Sequence, residues 1–215
     1  MGVSFERSES QSASLTGAGA RTHDLMVRTA VGLMQRGQTP SVSAAAEAAG
    51  VSRATAYRYF PTQSALVEAV VGHALGPILT WDCSSEDAQE RVTDLLSSSS
   101  DRILEFETTF KAALGLSLDQ WAQWRSDPAP SGQQFRRGHR IELLEKALSP
   151  VRDRLSDAQF KRLAMALSLT FGLEVLLVLK DIWKADVDQM QSVATWAARA
   201  LVRAALAEAQ GPQTA

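Results

Sequence analysis

Residues 41–63 constrain the fold more than any other part of the sequence. From about Ser43 to Ala49 the chain is nearly all alanine, which has the highest helix propensity of any residue. Gly50 follows and is typical of the position just past a helix C-terminus, because glycine tolerates a positive φ. Ser52 is a good N-cap for a second helix over residues 53–59. The stretch is therefore predicted to form two short helices joined by a tight turn.

This pair of helices has the spacing of a DNA-binding helix-turn-helix, in which the second helix lies in the major groove. Arg53 is suited to hydrogen-bond a guanine, Thr55 to contact a base edge, and Tyr57 to reach a phosphate. The alternative is a buried helical hairpin whose aromatic residues serve only packing. We favour the DNA-binding interpretation because the turn, the cap and the outward side chains agree with one another. The positions expected to be buried are Ala45, Ala46, Ala49, Val51, Ala56 and either Tyr59 or Phe60.

Residues 50–66 resemble the signature of the TetR/AcrR family of bacterial transcriptional regulators. They read Gly-Val-Ser, a basic residue, a small residue, Thr, an apolar residue and Tyr, and an aromatic pair and Ala-Leu follow. Two positions depart from the family pattern: Gln63 replaces the usual phosphate-contacting lysine, and Ala54 stands where glycine is common. The resemblance implies an all-α fold, with an N-terminal three-helix helix-turn-helix DNA-binding domain joined to a C-terminal helical ligand-binding and dimerisation domain.

The same resemblance implies which residues meet double-stranded DNA. In the family, hydroxyl groups around the start of the first motif helix lie near the DNA backbone, which places Thr39, Ser41 and Ser43 there in this chain. Both serines are also ordinary N-cap residues. The complete expected DNA-binding set is Thr39, Ser41, Ser43, Ser52, Arg53, Thr55, Tyr57, Arg58, Tyr59, Thr62 and Gln63.

The charge balance favours a dimer. The chain has a formal net charge of −2, and residues 20–75 hold five arginines against three acidic residues, a local balance of only +2. DNA affinity therefore cannot come from a broad basic field. We expect two copies of the reading helix to act together on a palindromic operator.

Composition argues against several other classes of protein. Cys83 is the single cysteine, so no internal disulfide forms, as is usual in a reducing cytoplasm. No apolar run is long enough to cross a membrane, and no signal-peptide core is present at the N-terminus. The sequence shows no nucleophile–base pair, phosphate-binding glycine loop or metal-ligand spacing. We therefore expect a cytoplasmic protein that is not an enzyme, with no catalytic residues, metal site, cofactor or membrane contact.

The sequence divides into a disordered arm over residues 1–20, a helix-turn-helix domain over 21–66 and a helical domain over 67–210. No strand-like alternation of apolar and polar residues occurs. The clearest loop is predicted at residues 127–132, and a break is predicted at Gly115. Outside the motif, helices are predicted at about 21–36, 62–76, 86–97, 101–114, 118–124, 133–148, 156–183 and 187–209.

The resemblance implies that the C-terminal domain binds a small ligand and dimerises through the helices at about 156–183 and 187–209. Ligand pockets are apolar and aromatic with a few polar groups. Glu174 stands out in an apolar helix, where a buried carboxylate needs a cationic or hydroxylated ligand, or an arginine across the dimer. Arg136, Arg137, His139 and Arg140 either hold an anionic ligand or form a solvated helix face. The candidates for contacting an apolar or aromatic ligand are Phe106, Phe110, Trp121, Trp124, Met165, Phe171 and Glu174.

These observations predict a homodimeric transcriptional repressor that a small molecule releases from its operator. One alternative is a dimeric DNA-binding regulator with no small-molecule effector, which a well-defined cavity would argue against. A second alternative, a helical enzyme or carrier, has no supporting motif.

Overall fold

The computed structural model describes residues 17–126 and 139–211. These residues form helices and connecting turns, with no strand in either range, as predicted. A short 3₁₀ helix, Ser149–Arg154, precedes α8, and α9 continues as a π-helix over Leu176–Ile182. The helices are α1 Gly17–Gln35, α2 Val42–Ala48, α3 Arg53–Tyr59, α4 Gln63–Leu79, α5 Ala88–Glu105, α6 Glu107–Ser126, α7 His139–Ala147, α8 Asp157–Leu167, α9 Leu173–Val175 and α10 Val187–Ala209.

The two helices of the motif form as predicted. Ser41 accepts a hydrogen bond from the Ala44 amide, and Ser52 accepts one from the Thr55 amide, so each serine is the N-cap of its helix. Gly50 has φ +66°, the left-handed conformation expected in the turn. Among the predicted core positions, Ala49, Val51 and Tyr59 are half-buried, and the fully buried ones are Ala45, Ala46, Ala56 and Phe60.

Helix α1 begins at Gly17, four residues before the predicted start, and the rest of the predicted arm, residues 1–16, lies outside the described residues. Its buried stripe is also rotated relative to the prediction. The sequence spacing predicts a buried face of Leu25, Met26, Thr29, Ala30, Leu33 and Met34. Leu25 is instead 41% exposed, and Val27 and Val31 are buried beside Met26, Ala30 and Met34. Several helical stripes are possible in so apolar a helix, and packing against α4 and α6 selects one of them.

Two further helix boundaries differ from the prediction. Asp87 caps α5, which begins two residues after the predicted start and runs through the serine cluster at 97–100. Ser97 and Ser98 donate to the Asp94 carbonyl, so these hydroxyls are satisfied within the helix. Helix α6 continues unbroken through Gly115, because a single helical glycine costs only about 1 kcal/mol. The predicted loop at 127–132 lies outside the described residues, as do residues 133–138 of the predicted next helix.

The single helix predicted over 156–183 is wrong, because the chain leaves the helix after Leu167 and resumes at Leu173. Ser168 and Thr170 donate their hydroxyls to the carbonyls of Ala164 and Leu167, local bonds that compete with helical ones. Gly172 then adopts φ +104°, which a helix cannot contain. The sequence pattern predicts N-caps at Ser156 and Asp186, and the structure has a capping box at each, before α8 and before α10.

Two hydrophobic clusters make up the core. The first joins α1, α2, α3 and α4 and includes Phe106 and Ala113 from the α5–α6 region. The second joins α5, α7, α8, α9 and α10. Phe110 of α6 packs against both clusters.

Candidate nucleic-acid interface and neighbouring cavity

Helix α3 presents the predicted reading face to solvent. Arg53 and Arg58 are exposed and Tyr57 is 46% exposed, whereas Ala56 on the opposite side is fully buried. Thr55 is half-buried because the Ser52 hydroxyl donates to its Oγ1 at 2.9 Å. The N-terminal half of α3 therefore offers a guanidinium and an adjacent hydroxyl pair, a donor and acceptor set suited to base edges.

The first turn of α2 lies beside this face. The hydroxyl oxygens of Ser43 and Tyr57 are 3.3 Å apart, within hydrogen-bond distance. Ser41 and Thr39, the other two predicted backbone-contact hydroxyl residues, are exposed. A helix N-terminus with free N–H groups and hydroxyls favours an anionic oxygen such as that of a phosphate.

Gln63 has a role that the sequence did not indicate. Its side-chain amide donates to the Thr39 carbonyl at 3.3 Å and to the Pro40 carbonyl at 3.1 Å. The amide thereby ties the first turn of α4 to the loop before α2, and its N–H groups are used within the chain. Thr62, the neighbouring predicted contact, accepts from the Ala65 amide as the N-cap of α4.

Tyr59 contributes to packing more than to the outer face. It is half-buried, Arg58 donates to its hydroxyl at 3.3 Å, and the Arg58 guanidinium lies 5.1 Å from its ring centroid. His23 of α1 packs on Phe60 with ring centroids 4.8 Å apart and meets Tyr59 edge-on. No sequence signal pointed to His23, because it lies far from the motif in the chain and is brought there only by the packing of α1.

A cavity of about 390 Å³ lies between α4, α5, α6, α7 and the break before α9. This volume is in the range of small-molecule sites. Its polar lining groups are His139, Arg140, Ser168 and Glu174. The apolar lining side chains are Val71, Leu75, Ile78, Ile103, Phe110, Ala113, Leu114, Ile141, Leu143, Phe171 and Leu173.

The predicted ligand-contact residues are only partly brought together. Phe110, Phe171 and Glu174 line the cavity. Phe106 is instead buried in the first cluster, and the side chain of Trp124 lies outside the described part of the structure. Trp121 and Met165 are 58% and 63% exposed and line no part of the cavity, because they lie on the outer faces of α6 and α8.

The expectation of a buried Glu174 is wrong. Its side chain is 49% exposed and pairs with Arg140 of the same chain, with Nη2 and Oε2 2.5 Å apart. The α8–α9 break turns this residue to the cavity rim instead of into a continuous helix. The sequence offered Arg140 either as one of four residues that hold an anionic ligand or as part of a solvated helix face, and two of the four, Arg136 and Arg137, lie outside the described residues.

An ion-pair network joins α6, which lines the cavity, to the π-helix that follows α9. Lys111 bonds both Glu107 and Asp181 at 2.7 Å, and Lys180 also pairs with Glu107. Burial raises the pKa of the Glu107 carboxyl, but the hydrogen bonds from the two lysines outweigh it and the pKa lies below its ordinary value. The hydrogen bond to Asp181 is the main cause of a raised Lys111 pKa.

The motif and the fold match one family. Residues 31–70 match the family described as bacterial regulatory proteins, tetR family. Residues 31–70 therefore carry the tetR-family signature, and the chain as a whole resembles a TetR regulator in its fold. Among solved structures it resembles a TetR transcriptional regulator from Rhodococcus sp. RHA1, with a TM-score of 0.58 and 18% identity over 85% of this chain and 96% of that chain. At this identity the likeness establishes the fold alone. The curated proteins include no match to the sequence.

Within residues 17–126 and 139–211, no helix has the length and apolarity needed to cross a bilayer. In the same ranges, no group of three or more His, Cys, Asp or Glu side chains is placed to hold a metal ion.

Proposed function

We propose that this protein is a homodimeric cytoplasmic repressor of the TetR family that binds a palindromic operator and leaves it when a small ligand enters the cavity. The observation that carries the DNA-binding role is the outer face of α3. There Arg53, Thr55 and Tyr57 lie on α3 with the Tyr57 hydroxyl 3.3 Å from that of Ser43 in α2, while Ala56 on the opposite face is buried. The remaining predicted contacts, Ser52, Arg58, Tyr59, Thr62 and Gln63, support or flank this face.

The proposal of a dimer is supported by apolar side chains exposed on α8, α10 and the segment between them. Ile182, Trp183 and Trp196 are 72%, 75% and 69% exposed, and Leu169 is 76% exposed. Large exposed apolar patches are uncommon on monomers and are typical of protein interfaces. A second copy packed on this surface would cover them and pair two reading helices for adjacent major grooves.

The effector role is supported by the cavity itself. Its walls come from α4, which directly follows the helix-turn-helix, and from helices of the second cluster. A ligand shifts the population of DNA-binding states only by its difference in affinity for them. The alternative regulator without an effector has no use for a cavity of about 390 Å³.

We also propose a domain boundary near residue 66, inside α4, with residues 67–210 forming the ligand-binding and dimerisation domain. The support is that α4 contributes to both clusters, although the change of cluster comes after residue 66, between Ala74 of the first cluster and Ile78 of the second.

The test begins with a mobility shift and footprint on the DNA upstream of the protein's own gene, followed by selection from genomic fragments. We expect a protected palindrome with half-site centres about one helical turn apart. Arg53→Ala should cost about 1–3 kcal/mol at one base pair per half-site and relax specificity there. Arg154→Ala is the matched control, because it removes an exposed arginine far along the chain from the motif. Failure to recover any fragment by selection at low salt would refute the proposal.

A further inference from the structure

The polar groups of the cavity lie together at one side. His139 and Arg140 come from the start of α7, and Ser168 and Glu174 come from the break between α8 and α9. The other walls are aliphatic or aromatic. A ligand that matches this lining has an apolar body and one polar end.

Arg140 is the fixed member of the polar side. Its Nη1 donates to the Ser168 carbonyl at 3.1 Å, and its guanidinium packs against Gly172. A Cβ at Gly172 would stand 2.7 Å from Nη2, so a side chain there would displace the guanidinium from its present position. A guanidinium has five N–H donors and cannot lose its charge in a protein. The contacts to Ser168 and Glu174 use two of them.

Glu174 is the weakly held member. It is 49% exposed, and among the described residues its side chain bonds only to Arg140. A half-exposed ion pair contributes little, because water solvates the freed carboxylate well. Glu174 can therefore turn outward at small cost, whereas Arg140 is kept in place by the Ser168 carbonyl and by packing on Gly172.

This asymmetry decides the charge of the ligand. A carboxylate that enters the cavity can take the place of Glu174 and accept a bidentate pair of hydrogen bonds from Arg140. A cation would have to bind Glu174 against a neighbouring guanidinium that stays charged and does not move. We propose that the cavity binds an amphipathic monocarboxylate, with its apolar chain between α4 and α6 and its carboxylate on Arg140. This inference rests on the proposed function of the cavity as the effector site.

The experiment measures calorimetric binding of decanoate, decanol and decylamine to the full chain at neutral pH. We expect decanoate to bind most tightly. Arg140→Met should weaken decanoate binding about tenfold to a hundredfold, the range for losing hydrogen bonds from a charged group, while decanol binding changes less than about twofold. Glu174→Gln should tighten decanoate binding, by up to about fivefold, because the variant removes the competing anion. Glu145→Gln, at an exposed position of α7, is the matched control and should bind like the wild type.

The sign of the Glu174→Gln effect keeps the proposal falsifiable even if Arg140→Met folds poorly. Weaker decanoate binding in Glu174→Gln, tighter binding of decanol or decylamine than of decanoate, or no measurable decanoate binding would each overturn it. A mobility shift with each probe separates the two proposals. Decanoate that binds as expected without releasing DNA leaves the ligand class standing and refutes the effector role. If decanol releases DNA and decanoate does not, the effector role stands and the proposed ligand class is refuted.

Discussion

Arg102 of α5 is expected to hold the kink near the end of α4. Pro77 has no N–H group, so the His73 carbonyl has no helical donor, and Gly76 leaves the helix with φ 19° and ψ −95°. Arg102 supplies the missing donor: its Nη2 bonds the His73 carbonyl at 3.1 Å, and its Nε bonds the neighbouring Ala74 carbonyl at 2.7 Å. We therefore expect Arg102→Met to remove both bonds.

The cost can be worked from these contacts. Hydrogen bonds from a charged group contribute about 1.5–3 kcal/mol each when buried. The Arg102 side chain is 24% exposed and its bond to His73 is at the surface, so water replaces part of that contribution. The guanidinium also lies 4.0 Å from the Phe106 ring centroid, a contact worth about 0.5–1 kcal/mol. We expect a total loss of about 2–3 kcal/mol, and a fall in Tm of about 4–12 °C for a chain of this size.

Urea and thermal unfolding followed by circular dichroism, at one fixed protein concentration, measure this loss. Glu105→Gln is the matched control, because it removes only the exposed 3.0 Å ion pair to Arg102 and should change stability by less than about 0.5 kcal/mol. Equal stabilities of Arg102→Met and Glu105→Gln would refute the reasoning. In that case water would satisfy the two carbonyls, and Gly76 with Pro77 would hold the kink alone.

Three further predictions follow from single contacts. Gln63→Lys should tighten DNA binding on all sequences and steepen the slope of log K against log salt concentration by about 0.9 per half-site. Mobility shifts at several salt concentrations measure this slope. An unchanged slope would mean that position 63 does not reach a phosphate. Glu107→Gln should lower stability at neutral pH, because a carboxyl with a lowered pKa stabilises the fold only while it is ionised. This loss of stability should shrink as pH falls below the ordinary pKa of 4.5 and through the lowered folded value. A loss that persists in acid urea titrations would contradict this. Gly172→Ala should destabilise the chain by about 1–3 kcal/mol in the same assay, since φ +104° is strained for alanine and its Cβ would meet Arg140; wild-type stability would show that the break relaxes freely.

The parts of the fold that sequence predicted are those specified by neighbouring residues. The cap Ser52, the turn at Gly50 and the stop before Pro61 act within a few residues of one another, and α3 has the predicted bounds. The outward position of Arg53 follows from the same helix phase. Local hydrogen bonds and backbone preferences suffice for these features, so no tertiary information was needed.

The cavity was less predictable because distant contacts create it. The break after Leu167 depends on hydroxyl-to-carbonyl bonds and on Gly172, which is stabilised by packing of Arg140 from another helix. Read as an isolated apolar stretch, the same residues favour one long helix. That error moved Glu174 into the core and hid its pairing with Arg140, although Phe110 and Phe171 were still identified by their size and apolarity.

The mistaken break at Gly115 has the largest consequence for how the two clusters are connected. An unbroken α6 carries Phe110, which lines the cavity, and continues to Gln120, whose amide donates to the Ser64 hydroxyl at 2.6 Å. Ser64 lies in the first turn of α4, next to Gln63 and its bonds to the loop before α2. The continuous helix α6 therefore runs from the cavity wall to the first turn of α4, and it is a second connection in addition to α4 itself. A linear division of the chain near residue 66 misses this second connection, because α6 follows that boundary in sequence yet packs against α1 and α4 in space.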